Sequence, residues 1–344
     1  QPVGFGRERV FFLTAPDSIR IPNLYGPQVC LLFVPFARIP FPAAAAVWVV
    51  LNSLIYFVCI DLFLRRCPIL QLNRGIVALC ALAYPPLFHV FVRGQLSALI
   101  LLCFTAAFLA LRADRRFLPG IALGCLVLKP QFLVAIPLIL LLARAWTMLA
   151  GLLASSAAQL AVARFYFGPA VMHDYFNMLR HASDWMSTAE LSLAPIQMHS
   201  LRSFWMLLLP WPSAATVFYL LSSVAVIVLA TAIWKSSYTL TFRFSALLLA
   251  SVLVNPHLFI YDLLVMAPVF LLLADWSIRN VQHPSVPALR VLLYLAFLLP
   301  LFGSVARWTH LQLSVIIFVA LIWTLYRIAT QSSAAPVSAL AIPE

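Results

Sequence analysis

An all-α integral membrane protein is the fold class this sequence predicts, on three observations. Of 344 residues, 64% are hydrophobic and only 9% are charged, whereas a soluble domain carries roughly 25% charged residues. Mean hydropathy is +1.02. The apolar residues fall in runs separated by short, mostly basic loops. So few charges cannot clothe a soluble surface, so lipid must be the solvent for most of the chain.

The elements follow in order. Residues 1–28 are polar and irregular, and 29–37 form an apolar run too short to span. Full spans are expected at 41–64, 75–91, 96–111, 147–167, 214–234, 242–254, 263–274, 288–305 and 311–328. A helix needs about 20 apolar residues to cross ~30 Å of hydrocarbon. The run 117–142 is broken by Lys129-Pro130-Gln131. A lysine at mid-membrane costs roughly 2.5–3.5 kcal/mol, so the run is read as a hairpin with Lys129 at its tip. That gives about eleven spans, counting the hairpin twice. Residues 168–213 read as a sizeable polar loop, and the Ser-, Ala- and Pro-rich tail 329–344 as a disordered cytoplasmic tail.

Net charge is +12, from 22 Lys and Arg against 10 Asp and Glu. In a soluble chain this would suggest nucleic acid. Here the basic residues cluster in the loops around Arg65/Arg66/Arg74, Arg112/Arg115/Arg116, Arg144, Lys235/Arg243, Arg279/Arg290 and Arg327, which marks those loops as cytoplasmic. No nucleic-acid partner is expected. The polar stretches, including 168–213, Asn255 to Asp262 and Arg307 to His310, then all face outward, and chemistry belongs on that face. The six cysteines form no Cys-x-x-Cys pair and read as small buried hydrophobes. Neither a metal site nor a cofactor is expected, since no zincin, Walker or dinucleotide fingerprint occurs. Gly120 and Gly124 form a Gly-x-x-x-Gly that reads as close helix packing. The chain opens on Gln1, with no apolar signal segment; a further span upstream is expected, giving about twelve with both ends inside.

Three polar clusters are candidates for substrate binding. Arg93-Gly94-Gln95 offers a guanidinium fork for phosphate and an amide for a sugar hydroxyl; the bland reading is an interfacial anchor and helix start. Lys129-Pro130-Gln131 offers a compact cation where proline bends the chain; the bland reading is a snorkelling turn. His257 and Asp262, with Tyr261, lie between two apolar runs, Asp262 as a base or orienting group; the bland reading is a self-satisfying turn. The aromatics of 168–213 read mainly as an interfacial belt.

The order of motifs resembles glycosyltransferase family 87, formerly a domain of unknown function. The residues that carry the resemblance are Leu24-Tyr25-Gly26-Pro27, Val34-Pro35-Phe36-Ala37, Ala46-Val47-Trp48, Gly94-Gln95-Leu96-Ser97, Pro119 to Gly124 leading into Lys129-Pro130-Gln131, and Asn255-Pro256-His257 with Tyr261-Asp262-Leu263. The resemblance implies a GT-C-type enzyme of a bacterial inner membrane. It implies transfer of a mannose-like hexose, with inversion, from a polyprenyl-phosphate donor to a lipid or glycan acceptor on the outer face. A carboxylate would act as base, and cations would balance the lipid-phosphate leaving group. Arg93 and Lys129 are the candidate cations, with His257 as helper. The family's usual base is an Asp in the first outer loop, of which residues 1–28 would be the remnant; that Asp is expected upstream of Gln1. Asp17 and Asp262 are the candidates within the chain. A lipid-linked-sugar flippase and a non-catalytic truncated homologue are the rival classes.

Overall fold

A computed structural model describes residues 12–14, 20–22, 25–181 and 195–331. Nearly everything described is helical. The exception is a short antiparallel ribbon, Phe12–Thr14 paired with Arg20–Pro22, inside the stretch expected to be irregular. Asp17, most of the 329–344 tail and the middle of the 168–213 region lie outside the described residues.

Six helical segments are long and apolar enough to cross a membrane: Phe41–Leu64, Trp146–Arg180, Pro212–Lys235, Ile260–Arg279, Val286–Thr309 and Leu313–Thr330. The pair Leu70–Leu82 and Pro85–Arg93, bent by 48°, makes a seventh if taken as one span. Ser97–Arg112, Leu118–Leu128, Pro130–Leu142 and Leu240–Leu253 are apolar but shorter.

Glycine contacts fix the direction of the chain around Lys129. A Cβ on Gly120 would strike the backbone of Met148 and Leu152, and one on Gly124 would strike Leu152 and Ser155. Position 151 is glycine for the same reason, facing Phe117 and Ile121. The two helices therefore run side by side in the same direction at backbone-contact distance. The intervening Pro130–Leu142 segment must run back, so the chain reverses at Lys129. Proline explains the break. It has no N–H to donate and pushes its predecessor out of the helical region, and Lys129 sits at φ −138°, ψ 76° between two 3-10 turns.

Two expectations need correcting. The 168–213 region is not a plain loop: the Trp146–Arg180 helix runs into it as far as Arg180, after a kink at Gly168 (φ 84°) and Pro169, and Leu201–Leu208 is helical. On the stretch up to Arg180, His173 is exposed and Asp174 half-buried, while Met172, Tyr175 and Met178 are buried at helical spacing. The last helix, Leu313–Gln331, also runs into the segment assigned to the tail.

The core is built around Leu240–Leu253 and Ile260–Arg279. Every residue from Phe244 to Asn255 is buried, as is every residue from Asp262 to Val269. Large apolar side chains exposed elsewhere, such as Phe41, Val50, Leu221 and Val224, line the outer helices and suit a lipid solvent.

Candidate functional site

The reversal at Lys129 carries a lysine into the protein interior. Lys129 is 2% exposed and forms a salt bridge with Asp262, which is 1% exposed. Asp262 is the third residue of a 3-10 turn, Ile260–Met266, that is buried from Asp262 onward, and its second oxygen accepts from the Phe259 N–H at 3.3 Å. The first oxygen, besides meeting Lys129, accepts from the Ser97 hydroxyl at 3.1 Å. An ammonium and a carboxylate can be buried only when paired and hydrogen-bonded, and this pair meets that condition from three sides.

Two tyrosines wall the ammonium. The Lys129 Nζ lies 4.7 Å from the ring centroid of Tyr261 and 5.7 Å from that of Tyr25, within the ~6 Å reach of a cation–π contact. The Tyr25 hydroxyl donates to the Gln95 side-chain carbonyl. Gln95 follows Gly94, which adopts φ +59° and closes the Pro85–Arg93 helix in the left-handed conformation that glycine alone adopts without strain. The Gly94 carbonyl is held in turn by the Trp48 indole N–H at 3.0 Å. The first, third and fourth motifs thus meet at one point: Tyr25, Trp48 and Gln95 fix a rim above the ion pair.

Of the residues expected in the site, Gln95, Lys129, Tyr261 and Asp262 come together. Gln131 is half-buried in the turn that follows Lys129. Arg93 is exposed at the rim, and its carbonyl accepts from the Gln95 amide at 3.5 Å. His257 shares the loop of Asp262; its N–H donates to the Asn255 side chain at 2.9 Å, and its ring lies 4.8 Å from Phe259. Burial holds the His257 imidazole down at about 4, opposed by Asp262 and reinforced by Lys129 and Arg202, so it is neutral near pH 7. Among the described residues no group of His, Cys, Asp or Glu is arranged to hold a metal.

Tyr25 and Ser97 were not expected as site residues, although both stand in motifs that carry the family resemblance. Nothing in their neighbourhood marks them: Tyr25 is one aromatic in a polar stretch, and Ser97 opens a helix. A third unexpected set braces the Asp262 loop. The Met198 backbone bridges Phe259, the His199 N–H donates to the Leu258 carbonyl at 2.9 Å, and the buried His199 ring bonds Ser314 at 2.8 Å. The Gln312 amide donates to the carbonyls of Ile196 and Met198, at 3.0 and 2.7 Å.

A family model for glycosyltransferase family 87 matches residues 23–256. This chain belongs to that family. Membership makes it a membrane glycosyltransferase, with a sugar donor and an acceptor as its substrates. The matched region contains Tyr25, Arg93, Gln95, Ser97 and Lys129, while Asp262 follows just beyond it. No curated protein and no solved structure matches the chain.

Proposed function

We propose that this glycosyltransferase moves a mannose-like hexose from a polyprenyl-phosphate donor to a lipid or glycan acceptor at the outer face of a bacterial plasma membrane, with inversion. Lys129-Asp262 lies at the centre of its site. The observation that carries the reading is a buried charge pair walled by tyrosines, at the end of the helices opposite the basic loops. A fold that needed only stability could fill this space with apolar side chains at equal or lower cost. The eleven-crossing topology belongs to the same reading: the chain reverses at Lys129, and the short helices either side need protein cover or a thinned bilayer.

The geometry redistributes the roles. Lys129 is enclosed, with Asp262 and the two tyrosine rings around it, so it supplies positive potential through the wall of the site. Arg93, exposed at the rim with a fork of donors, is the cation that meets the leaving phosphate directly. Gln95 and Tyr261 orient the sugar, and Gln131 and His257 flank them. Asp262 already accepts from Lys129, Ser97 and the Phe259 N–H; its work is to hold Lys129, and it becomes a base only once Lys129 releases it.

The test is transfer of radiolabelled sugar from polyprenyl-phosphate donors to a lysate acceptor pool in membranes containing the protein. Arg93→Ala raises the donor KM about tenfold or more, as expected for loss of a charge-assisted phosphate contact, and Lys129→Ala abolishes transfer. Absence of transfer with every donor, accompanied by movement of the lipid between leaflets, sinks the transferase reading in favour of a flippase.

A further inference from the structure

A second polar recess lies beside the Asp262 loop. Ile196 comes from the turn before His199, Met206 and Leu207 from the Leu201–Leu208 helix, and Ala306, Arg307 and His310 from the end of the Val286–Thr309 span. They line a cavity of about 360 Å³, within the ~300–1,000 Å³ range of ligand pockets. One wall is cationic and hydrogen-bonding; the rest is apolar. Among the described residues no carboxylate lies within ion-pair distance of Arg307. The outside of the same segment exposes Leu301, Phe302 and Trp308, a surface suited to the boundary between hydrocarbon and headgroups.

An arginine at the end of a span is ordinarily a snorkelling anchor. This one differs because it borders a cavity whose opposite wall, Met206 and Leu207, is apolar. The cavity is also tied to the first site: Gln312 holds the carbonyls of Ile196 and Met198, and Met198 bridges Phe259 in the Asp262 loop.

We propose that this cavity binds a phosphate-headed lipid, its phosphate on Arg307 and His310 and the start of its chain against Ile196, Met206 and Leu207. The inference rests on the transferase reading only in taking that lipid to be a substrate, and it gives the second substrate of the reaction a place beside the first. Charge complementarity and the apolar wall together choose an amphiphile over a free anion.

The experiment uses the full chain purified in detergent, with dioleoylphosphatidic acid as probe and native mass spectrometry as readout. Phosphatidate is retained about tenfold more strongly than dioleoylglycerol, and Arg307→Gln and the cavity-filling Met206→Trp each weaken retention about tenfold, as loss of one charge-assisted contact or of the cavity predicts. Both residues are solvent- or lipid-accessible, so both variants keep the wild-type thermal midpoint. Millimolar inorganic phosphate leaves the lipid bound. Unchanged retention in both variants, equal retention of the diglyceride, or displacement by inorganic phosphate overturns the proposal, the last by making this a free-anion site. Because the readout is binding, Arg93→Ala, at an exposed rim position, leaves retention intact while weakening transfer, so failure of the cavity and failure of the transferase reading are distinguishable.

Discussion

Asp262 and Asp275 stand at opposite ends of one helical segment, roughly 20 Å apart by helical rise, and each is 1% exposed. Asp275 accepts from the backbone N–H groups of Ile69 and Leu70 at 2.9 and 3.2 Å and from Arg279 at 2.7 Å. That arginine is 45% exposed, so its charge is solvated. Asp275 is therefore a cap: it satisfies the end of one turn and ties it to another helix. At the other end the cation is buried with its carboxylate, and Tyr25, Ser97, Lys129 and Tyr261 converge from four distant parts of the sequence. A buried carboxylate is not by itself the mark of a site. What separates the two ends is whether the partner's charge is also enclosed, because only then does the fold sustain a field that solvent does not screen.

The largest effect should come from breaking the enclosed pair. Lys129→Met leaves Asp262 buried and unpaired, which costs about 3–5 kcal/mol and abolishes transfer. Lys129→Met combined with Asp262→Leu restores most of the stability, since apolar replacement of a buried pair is often neutral or better, yet transfer stays absent. Denaturation in detergent beside the transfer assay checks both. A double variant that transfers sugar would reduce the pair to a structural feature like Asp275.

Asp275→Ala should fall next. It orphans two backbone donors at a cost of about 1–3 kcal/mol each, less what water recovers near Arg279. The thermal midpoint drops, but transfer per folded molecule holds. Loss of transfer beyond the loss of folded protein would erase the distinction between the two ends.

Sequence reasoning reached the two ends unequally. Apolar runs mark the membrane character and the long apolar helices, because hydropathy is a local property, but they do not fix the number of crossings: six helical segments are long and apolar enough, or seven with the bent pair. Lys129 stood out because a cation breaking an apolar run is costly, and Asp262 because it sits between two such runs. Their pairing spans 133 residues, and no local pattern carries it. Tyr25 and Ser97 were hidden for the same reason: a tyrosine is ordinary in an interfacial stretch and a serine ordinary at a helix start. The helix through His173 and Asp174 was missed because a search for apolar runs discards a polar-faced helix, although Met172, Tyr175 and Met178 repeat at helical spacing. Asp275 drew no attention either, since Asp275 and Arg279 at i, i+4 look like any surface pair.

Acid should act on the Asp262 end first, through His257. Burial holds this imidazole at about 4 in the folded protein, against about 6.5 in an unfolded chain. Above pH 6.5 both states are neutral and stability is at its full value. Between 6.5 and 4 the unfolded chain binds the proton and the folded protein does not, so stability falls as pH falls, by about 1–2 kcal/mol by pH 5. His257→Gln should flatten that slope in detergent denaturation curves. A slope unchanged by the substitution would mean the imidazole is open to solvent and the loop around Asp262 is not closed.

The smallest effect sharpens the comparison most finely. Tyr25→Phe keeps the ring over Lys129 and removes the hydroxyl, which donates to Gln95 and also hydrogen-bonds Lys129. Each such bond contributes about 1 kcal/mol, so the folded protein should lose about 1–2 kcal/mol. If the tyrosine wall serves only to bury the lysine, transfer kinetics stay at wild-type values, because the ring remains. If the wall is the face against which substrate is placed, freeing Gln95 lets the rim move, and the donor KM rises severalfold while stability falls by no more than that amount. Tyr25→Leu then removes the ring as well and costs the cation–π contact, of order 1–2 kcal/mol where it is desolvated. A Tyr25→Phe enzyme with altered KM and no further loss of stability places the rim in the site; one with unaltered KM leaves Tyr25 a structural residue, as Asp275 is at the far end.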